Sequence, residues 1–306
     1  MVPQILLQLI LFTGWALLVR GMEEVLDWKP DEIDMTVHSI AGTALGLLLV
    51  FRTNTAYDRF WEGRKKWGMI INRTRDLARQ TLVYIDNENA VQTITRHIIV
   101  FAYACRMHLR GKNDISAAED ILVKSEIESY KRSDHLPLHS HVIIAREIRA
   151  ARDRGEIGAY EAMTLDSNLT QLIDELGACE RIKKTPVPKA YVLHTRRFIV
   201  LYLLTLPFAL SSLNWYAAPA VFCVSYAFLG IEAIGIAIED PFQYGPNDLP
   251  LGDICDGIRK NLLHLLVVDL KEKKKKKNQK PDLVDAFKPP STQSSSNEDE
   301  TKTKID

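Results

Sequence analysis

Phe51-Arg52-Thr53-Asn54-Thr55-Ala56-Tyr57-Asp58-Arg59-Phe60-Trp61-Glu62-Gly63-Arg64 decides the fold of this chain. Residues 35–50, just before it, hold no Asp, Glu, Lys or Arg. Charge then arrives abruptly, as Arg52, Asp58, Arg59, Arg64, Lys65 and Lys66. An apolar helix that runs into a basic, aromatic collar marks a membrane boundary.

Working outward, four spans are predicted. The first covers residues 4–19 and closes at Arg20. No basic residue precedes it and no small-residue cleavage site follows, so it does not read as a signal peptide. The second covers residues 35–51. Both lie near the short end of the roughly 17–25 residues that a span needs. Between Arg197 and Glu232 there is no charged side chain at all. That run is too long for one helix, and Ser211-Ser212-Leu213-Asn214-Trp215 with Pro219 supplies a turn. A helical hairpin over residues 194–212 and 219–237 follows, with Trp215 and Tyr216 at the interface. The linker at residues 21–34 is acid-rich, whereas Arg52, Arg59, Arg64, Lys65 and Lys66, and later Lys183, Lys184, Lys189, Arg196 and Arg197, crowd the other side. The positive-inside rule puts both termini and the middle region on the cytosolic-type face, or the stroma in a plastid.

The chain has 306 residues, 46% hydrophobic and 25% charged, with a formal net charge of zero. That zero hides segregation, so local charge informs about partners and the total does not. From about residue 53 to 188 the pattern is helical. Trp61, Trp67, Ile70, Ile71, Leu77 and Leu82 recur three to four apart, as do Ile98, Ile99, Phe101, Ala102 and Cys105, and Met163, Leu165, Leu169, Leu172, Ile173 and Leu176. No alternating run suits a sheet. The second span is expected to continue past Phe51 as one long helix. The sequence therefore predicts an all-α, multi-pass membrane protein. Residues 1–52 hold the first two spans and 53–193 a helical domain outside the membrane. Residues 194–238 hold the last two spans and 239–270 a membrane-proximal helical segment. Residues 271–306, a Lys-rich run and then a Ser/Thr/Asp/Glu-rich tail, are predicted to be disordered; the lysines also suit an anionic lipid surface. Cys105, Cys179, Cys223 and Cys255 form no CxxC pair, so buried free thiols are expected and neither zinc nor disulfides. No Gly-rich nucleotide loop, HExxH or GxSxG is present, and no His or carboxylate set has recognisable metal or acid–base spacing; the chain does not read as an enzyme.

The block from Gly46 to Arg64 resembles the bestrophin family of ion channels, in its bacterial, plant and algal branch. Thr185-Pro186-Val187-Pro188 before the third span agrees, as do Ile238-Glu239-Asp240-Pro241-Phe242 after the fourth and Asn247-Asp248-Leu249-Pro250-Leu251. The resemblance covers roughly residues 3–270. It implies a homopentamer around one central pore lined by the second span, conducting chloride or bicarbonate, with the helical domain as a vestibule. It suggests a thylakoid or other plastid membrane, or another cellular membrane. Two departures stand out. Family members usually carry an amphipathic stretch before the first span, and this chain starts almost inside that span, which predicts a missing N-terminal piece. Animal members bind calcium with an acidic cluster after the Pro-Phe motif. Here Gln243-Tyr244-Gly245-Pro246-Asn247-Asp248 holds one acid, so no cofactor is expected; calcium stays the alternative, with an acidic cluster too weak to predict gating through it.

Positions i, i+4 and i+8 share one helix face, and the family's narrow neck falls on Thr43, Leu47 and Phe51. Rings of Leu and Phe can gate by dewetting, and inward Phe edges carry partial positive charge that favours anions. Thr43 implies a wetter upper neck. The alternative is that these residues pack against neighbouring helices. Gly42 and Gly46 form a GxxxG, a packing motif under either reading. Ala190 is the expected lower constriction, and His194 nearby either titrates near neutral pH or is structural. Arg52, Asp58 and Arg59 are pore-adjacent or structural charges; snorkelling, or pairing with Asp58 and Glu62, is the expectation for Arg59 and Arg64. Glu232, an acid inside the fourth span, is expected to pair with a His, an Arg or a polar backbone group. Competing functions are a cation-selective channel of the same build and a membrane scaffold whose helical domain recruits partners.

Overall fold

A computed structural model describes residues 2–26, 28 and 33–278. The acid-rich linker lies partly, and the acidic tail wholly, outside the described residues. Among the described residues every regular element is helical: α1 (Val2–Val25), α2 (Met35–Tyr84), α3 (Glu88–Leu109), α4 (Lys124–Lys131), α5 (Leu136–Asp153), α6 (Ala159–Lys184), α7 (Lys189–Ala209), α8 (Ala217–Ile238) and α9 (Leu251–Asn278), with short 3-10 turns at Ser116–Ile121 and Ser211–Tyr216.

α1, the first part of α2, α7 and α8 are long and apolar enough to cross a membrane. They pack through one shared cluster that includes Ile5 and Leu9 of α1, Leu45 and Leu49 of α2, Leu203 of α7 and Val221 of α8. The hairpin forms as predicted, although α7 already begins at Lys189 and its turn tightens into a 3-10 segment. There Asn214 takes φ 53° and ψ −133°, a positive-φ conformation that L side chains rarely adopt. Trp215 and Tyr216 at this tip are exposed.

α2 is one helix of 50 residues, about 75 Å long at 1.5 Å per residue. Asp34 caps it, its Oδ1 accepting from Thr36 N at 2.7 Å. No proline interrupts it, so the same rod serves the bundle and the helical domain. The centre of that domain is α3. Its residues from Ile98 to Cys105 are all buried, because α2, α5, α6 and the first part of α9 surround it. A helix apolar on every side belongs inside a core.

The predicted helix faces are mostly the buried ones, with exceptions. Trp61 and Met163 are exposed, because α2 and α6 pack along narrower stripes than their apolar residues span. Cys223 is exposed, whereas Cys105, Cys179 and Cys255 are buried. The residues divide into two units, the first ending at Leu266 and the second beginning at Val267. In the second, the lysine run expected to be disordered is helical as far as Asn278. Composition argued that it has no apolar surface to bury, but a helix end can persist on local terms. Lysine is a good helix former, and Lys273 pairs with Asp269 one turn back at 3.2 Å.

Candidate functional site

Along α2 two stripes oppose each other. His38, Leu45, Leu49, Arg52 and Ala56 are buried against the chain's own helices. Thr43, Leu47 and Phe51 lie on the other side, with Leu47 and Phe51 each 55% exposed. Thr43 is exposed as well, but its Oγ1 donates to Ser39 O of the same helix at 2.9 Å. What it offers outward is a methyl group and an oxygen lone pair. Of the two glycines in the GxxxG, only Gly42 is used within the chain. A Cβ there would meet the Tyr202 hydroxyl at 2.7 Å, while one on Gly46 would meet nothing within 4 Å. Tyr202 stacks on His38, one turn before Gly42, at 4.1 Å.

Arg52, the first charge after the exposed stripe, points the other way. It is 2% exposed and pairs with Glu232 of α8 at 3.3 Å. The intramembrane acid thus has an arginine partner, but one 180 residues away. Beside the pair, a cavity of about 360 Å³ lies between α1, α7 and α8, bordered by Gln8, Trp15, Arg196, Ile199 and Glu232. It sits in the wall of the bundle, not on the exposed stripe.

Arg59 does not snorkel or pair with Asp58 or Glu62. It donates Nε to Glu239 O at 3.2 Å, Nη2 to Ile182 O at 2.6 Å and Nη1 to Thr185 O. One guanidinium therefore takes carbonyls from the ends of α6 and α8 that those helices cannot satisfy themselves. Glu62 pairs instead with Arg181, and Asp58 and Arg64 are exposed. Ala190 is exposed at the second position of α7. Its neighbour Tyr191 donates to Leu48 O at 2.9 Å, tying the start of α7 to α2 beside Leu47. Glu239 Oε1 accepts Val187 N at 3.2 Å, which holds the Pro186–Pro188 segment to the end of α8. The Pro241-Phe242 motif lies over Gly63: a Cβ there would meet Pro241 at 3.1 Å and Phe242 at 3.2 Å. Tyr191, Tyr202 and the partners of Arg59 had no sequence signal, since nothing in local spacing names a carbonyl more than 100 residues away.

Beyond Pro241, Asp240 accepts from Phe242 N and Gln243 Nε2, and Asp248 accepts from Gly245 N. Arg110 donates to the carbonyls of Phe242 and Gln243, both at 2.9 Å, and lies over the Tyr244 ring. The loop after the fourth span is thus held by a cation and its own acids. Deeper in the helical domain, burial holds His97 below its usual pKa, with Glu126 opposing that shift. His97 Nδ1 meets the Tyr130 hydroxyl at 2.8 Å. Burial pushes that phenol up, out of the range where it would ionise. A further group, His108, His135 and Glu180, gathers at the ends of α3, α5 and α6.

Comparison with known proteins agrees with this architecture. The family profile described as "Bacterial/Fungal Bestrophin protein" matches residues 1–264. The voltage-dependent anion channel-forming protein of Nostoc sp. is 42% identical over 229 residues, 73% of this chain and 75% of that one. Voltage-dependent chloride channel 2, chloroplastic, of Arabidopsis thaliana is 30% identical over 263 residues, 82% of this chain and 62% of that one. The crystal structure of a bacterial bestrophin homologue from Klebsiella pneumoniae superposes with a TM-score of 0.79 at 29% identity, covering 87% of this chain and 98% of that one.

Proposed function

This chain belongs to the bestrophin family, and from that premise we propose that it forms a passive, homopentameric anion channel carrying chloride and, with it, bicarbonate. The observation that carries this reading is the uncovered stripe of α2. Leu47 and Phe51 stay 55% exposed while the opposite face of the same helix is sealed by Leu45, Leu49 and Arg52. In a five-fold assembly that stripe faces the axis. Thr43, Leu47 and Phe51 then form successive rings of a neck, and the helical domain encloses a vestibule. Ala190, exposed at the start of α7 beside the Tyr191–Leu48 bond, is the lower constriction.

The rings supply a path and a field, with no covalent chemistry. Leu and Phe rings favour weakly hydrated ions and close by dewetting. Because the Thr43 hydroxyl donates to its own helix, anion preference at the neck rests on the positive edges of Phe51. Arg52 is engaged by Glu232 inside the wall, so its part is structural. Arg59 likewise holds the chain together through its three carbonyl partners, and the role assigned to exposed Asp58 is in subunit structure, not ion contact. The names of the Nostoc and Arabidopsis relatives support the anion reading, and the word chloroplastic in the second supports a plastid membrane over another cellular membrane; in a plastid the charge asymmetry would put both termini on the stromal side.

The test is the reversal potential of the purified protein in planar bilayers under a chloride gradient, compared with Leu47→Ala and Phe51→Ala. Reversal near the chloride potential is expected, with Phe51→Ala passing several-fold more current and discriminating less between anions. Reversal at the cation potential would keep the pore and overturn the selectivity. Absence of current from a verified pentamer would favour the scaffold.

A further inference from the structure

His108 lies in the last turn of α3, His135 caps the start of α5, and Glu180 lies near the end of α6. His108 and Glu180 are 72 residues apart in sequence, yet the three side chains meet. His108 Nε2 is 2.9 Å and His135 Nε2 is 3.3 Å from the same atom, Glu180 Oε1. The two imidazoles face each other with centroids 4.3 Å apart, and all three ligand atoms lie within 4.8 Å of one another. We propose that His108, His135 and Glu180 form a binding site for a divalent transition-metal ion of the zinc class. This site is independent of the pore reading.

The geometry and the donor set both support it. A tetrahedral ion with bonds of about 2.0–2.1 Å holds its ligand atoms about 3.3 Å apart, so the two edges on Glu180 are already near the required length. Two imidazole nitrogens and one carboxylate oxygen suit zinc or its neighbours in the transition series. They do not suit calcium or magnesium, which take oxygen ligands at six or more positions. The side chains are 27%, 35% and 21% exposed, which leaves a solvent side for entry and for a water as fourth ligand. Lys184 Nζ holds the other carboxylate oxygen, Oε2, at 3.0 Å and so orients Oε1 toward the ion, as outer partners of metal ligands do.

Glu180 Oε1 is the shared acceptor of both imidazoles. His108 Nε2 donates to Glu180 Oε1 at 2.9 Å, so an ion bound there displaces its proton to Nδ1. His135 has a second tie. Its Nδ1 accepts the Leu138 N–H as the helix cap at 3.2 Å, which places the proton of the neutral ring on Nε2. Binding an ion there moves that proton to Nδ1 and releases the cap, coupling occupancy to the first turn of α5.

The experiment is a zinc titration of the purified full-length protein against a competing chromogenic chelator, repeated with cobalt(II), whose visible spectrum separates four- from six-coordinate sites. One zinc per chain and a strong four-coordinate cobalt spectrum are expected. His108→Ala and Glu180→Gln should each weaken binding by at least about tenfold to a hundredfold, the range that even outer-shell losses produce. His135→Asn removes the imidazole but keeps a good helix cap, so it should lose the ion while its metal-free unfolding midpoint stays at the wild-type value. No zinc bound by the folded wild-type protein would overturn the proposal. So would undiminished affinity in all three variants.

Discussion

α3 and the membrane half of α2 are both apolar helices, yet the chain treats them differently. In α3 every residue from Ile98 to Cys105 is buried. In α2 up to Phe51 the buried residues are His38, Leu45 and Leu49, while Ile40, Leu47, Val50 and Phe51 are all more than half exposed. Burial on all sides makes α3 a core of its own domain. Burial along one stripe means that the other face of α2 answers to something outside the single chain. Apolar composition alone does not separate these roles; what surrounds each helix does.

The sharpest way to break this contrast is to truncate one side chain in each helix. Phe101→Ala should cost about 3–5 kcal/mol of stability, because its surroundings are fully packed. Leu47→Ala should leave the unfolding midpoint of the single chain nearly unchanged and alter current instead. Equal losses of stability, read by thermal unfolding in detergent, would make the α2 stripe a packing face like that of α3.

The buried stripe of α2 has its own weak point. Glu232→Leu strands Arg52, which is 2% exposed, and should cost about 3 kcal/mol or more. Adding Arg52→Met should recover most of that loss, since a buried pair removed whole is often replaced without penalty. Failure of the double variant to recover would mean that Arg52 has a role beyond Glu232.

A smaller effect distinguishes two glycines one turn apart. Gly42→Ala drives a methyl into Tyr202 and should cost about 1–3 kcal/mol, whereas Gly46→Ala meets nothing in the chain. Gly46→Ala should therefore spare the unfolding midpoint of the single chain, and any defect in assembly on sizing would locate a neighbouring copy at that face.

The smallest effect is the pH response, and it belongs to the helical domain. Burial holds His97, His108, His139 and His141 below their ordinary value of 6.5. Each folds best as the neutral ring. Its contribution is complete above about pH 6.5 and is lost as pH falls through the lowered folded value. The unfolding midpoint should drop between about pH 7 and pH 5, and His97→Gln should flatten part of that slope.

The legible part of this molecule was what neighbouring residues can express. Uncharged runs marked the spans, Ser211 to Trp215 marked the hairpin turn, and the acid at Glu232 announced that it needed a partner. The carbonyl partners of Arg59 were not legible, because a guanidinium reads the same whether it reaches water, Asp58 or the end of α6. Trp61 was misread, because periodicity finds a face but not how wide a stripe the neighbouring helix covers.

The sequence by itself determined the all-helical class, the spans and the family, since hydropathy, helix period and motif spacing belong to contiguous chain. Only the tertiary structure decided which face of α2 is sealed, that Arg52 turns inward to Glu232, and that His108, His135 and Glu180 converge. Those depend on helices docking across tens to hundreds of residues, and side chains meet there through packing that no local pattern encodes.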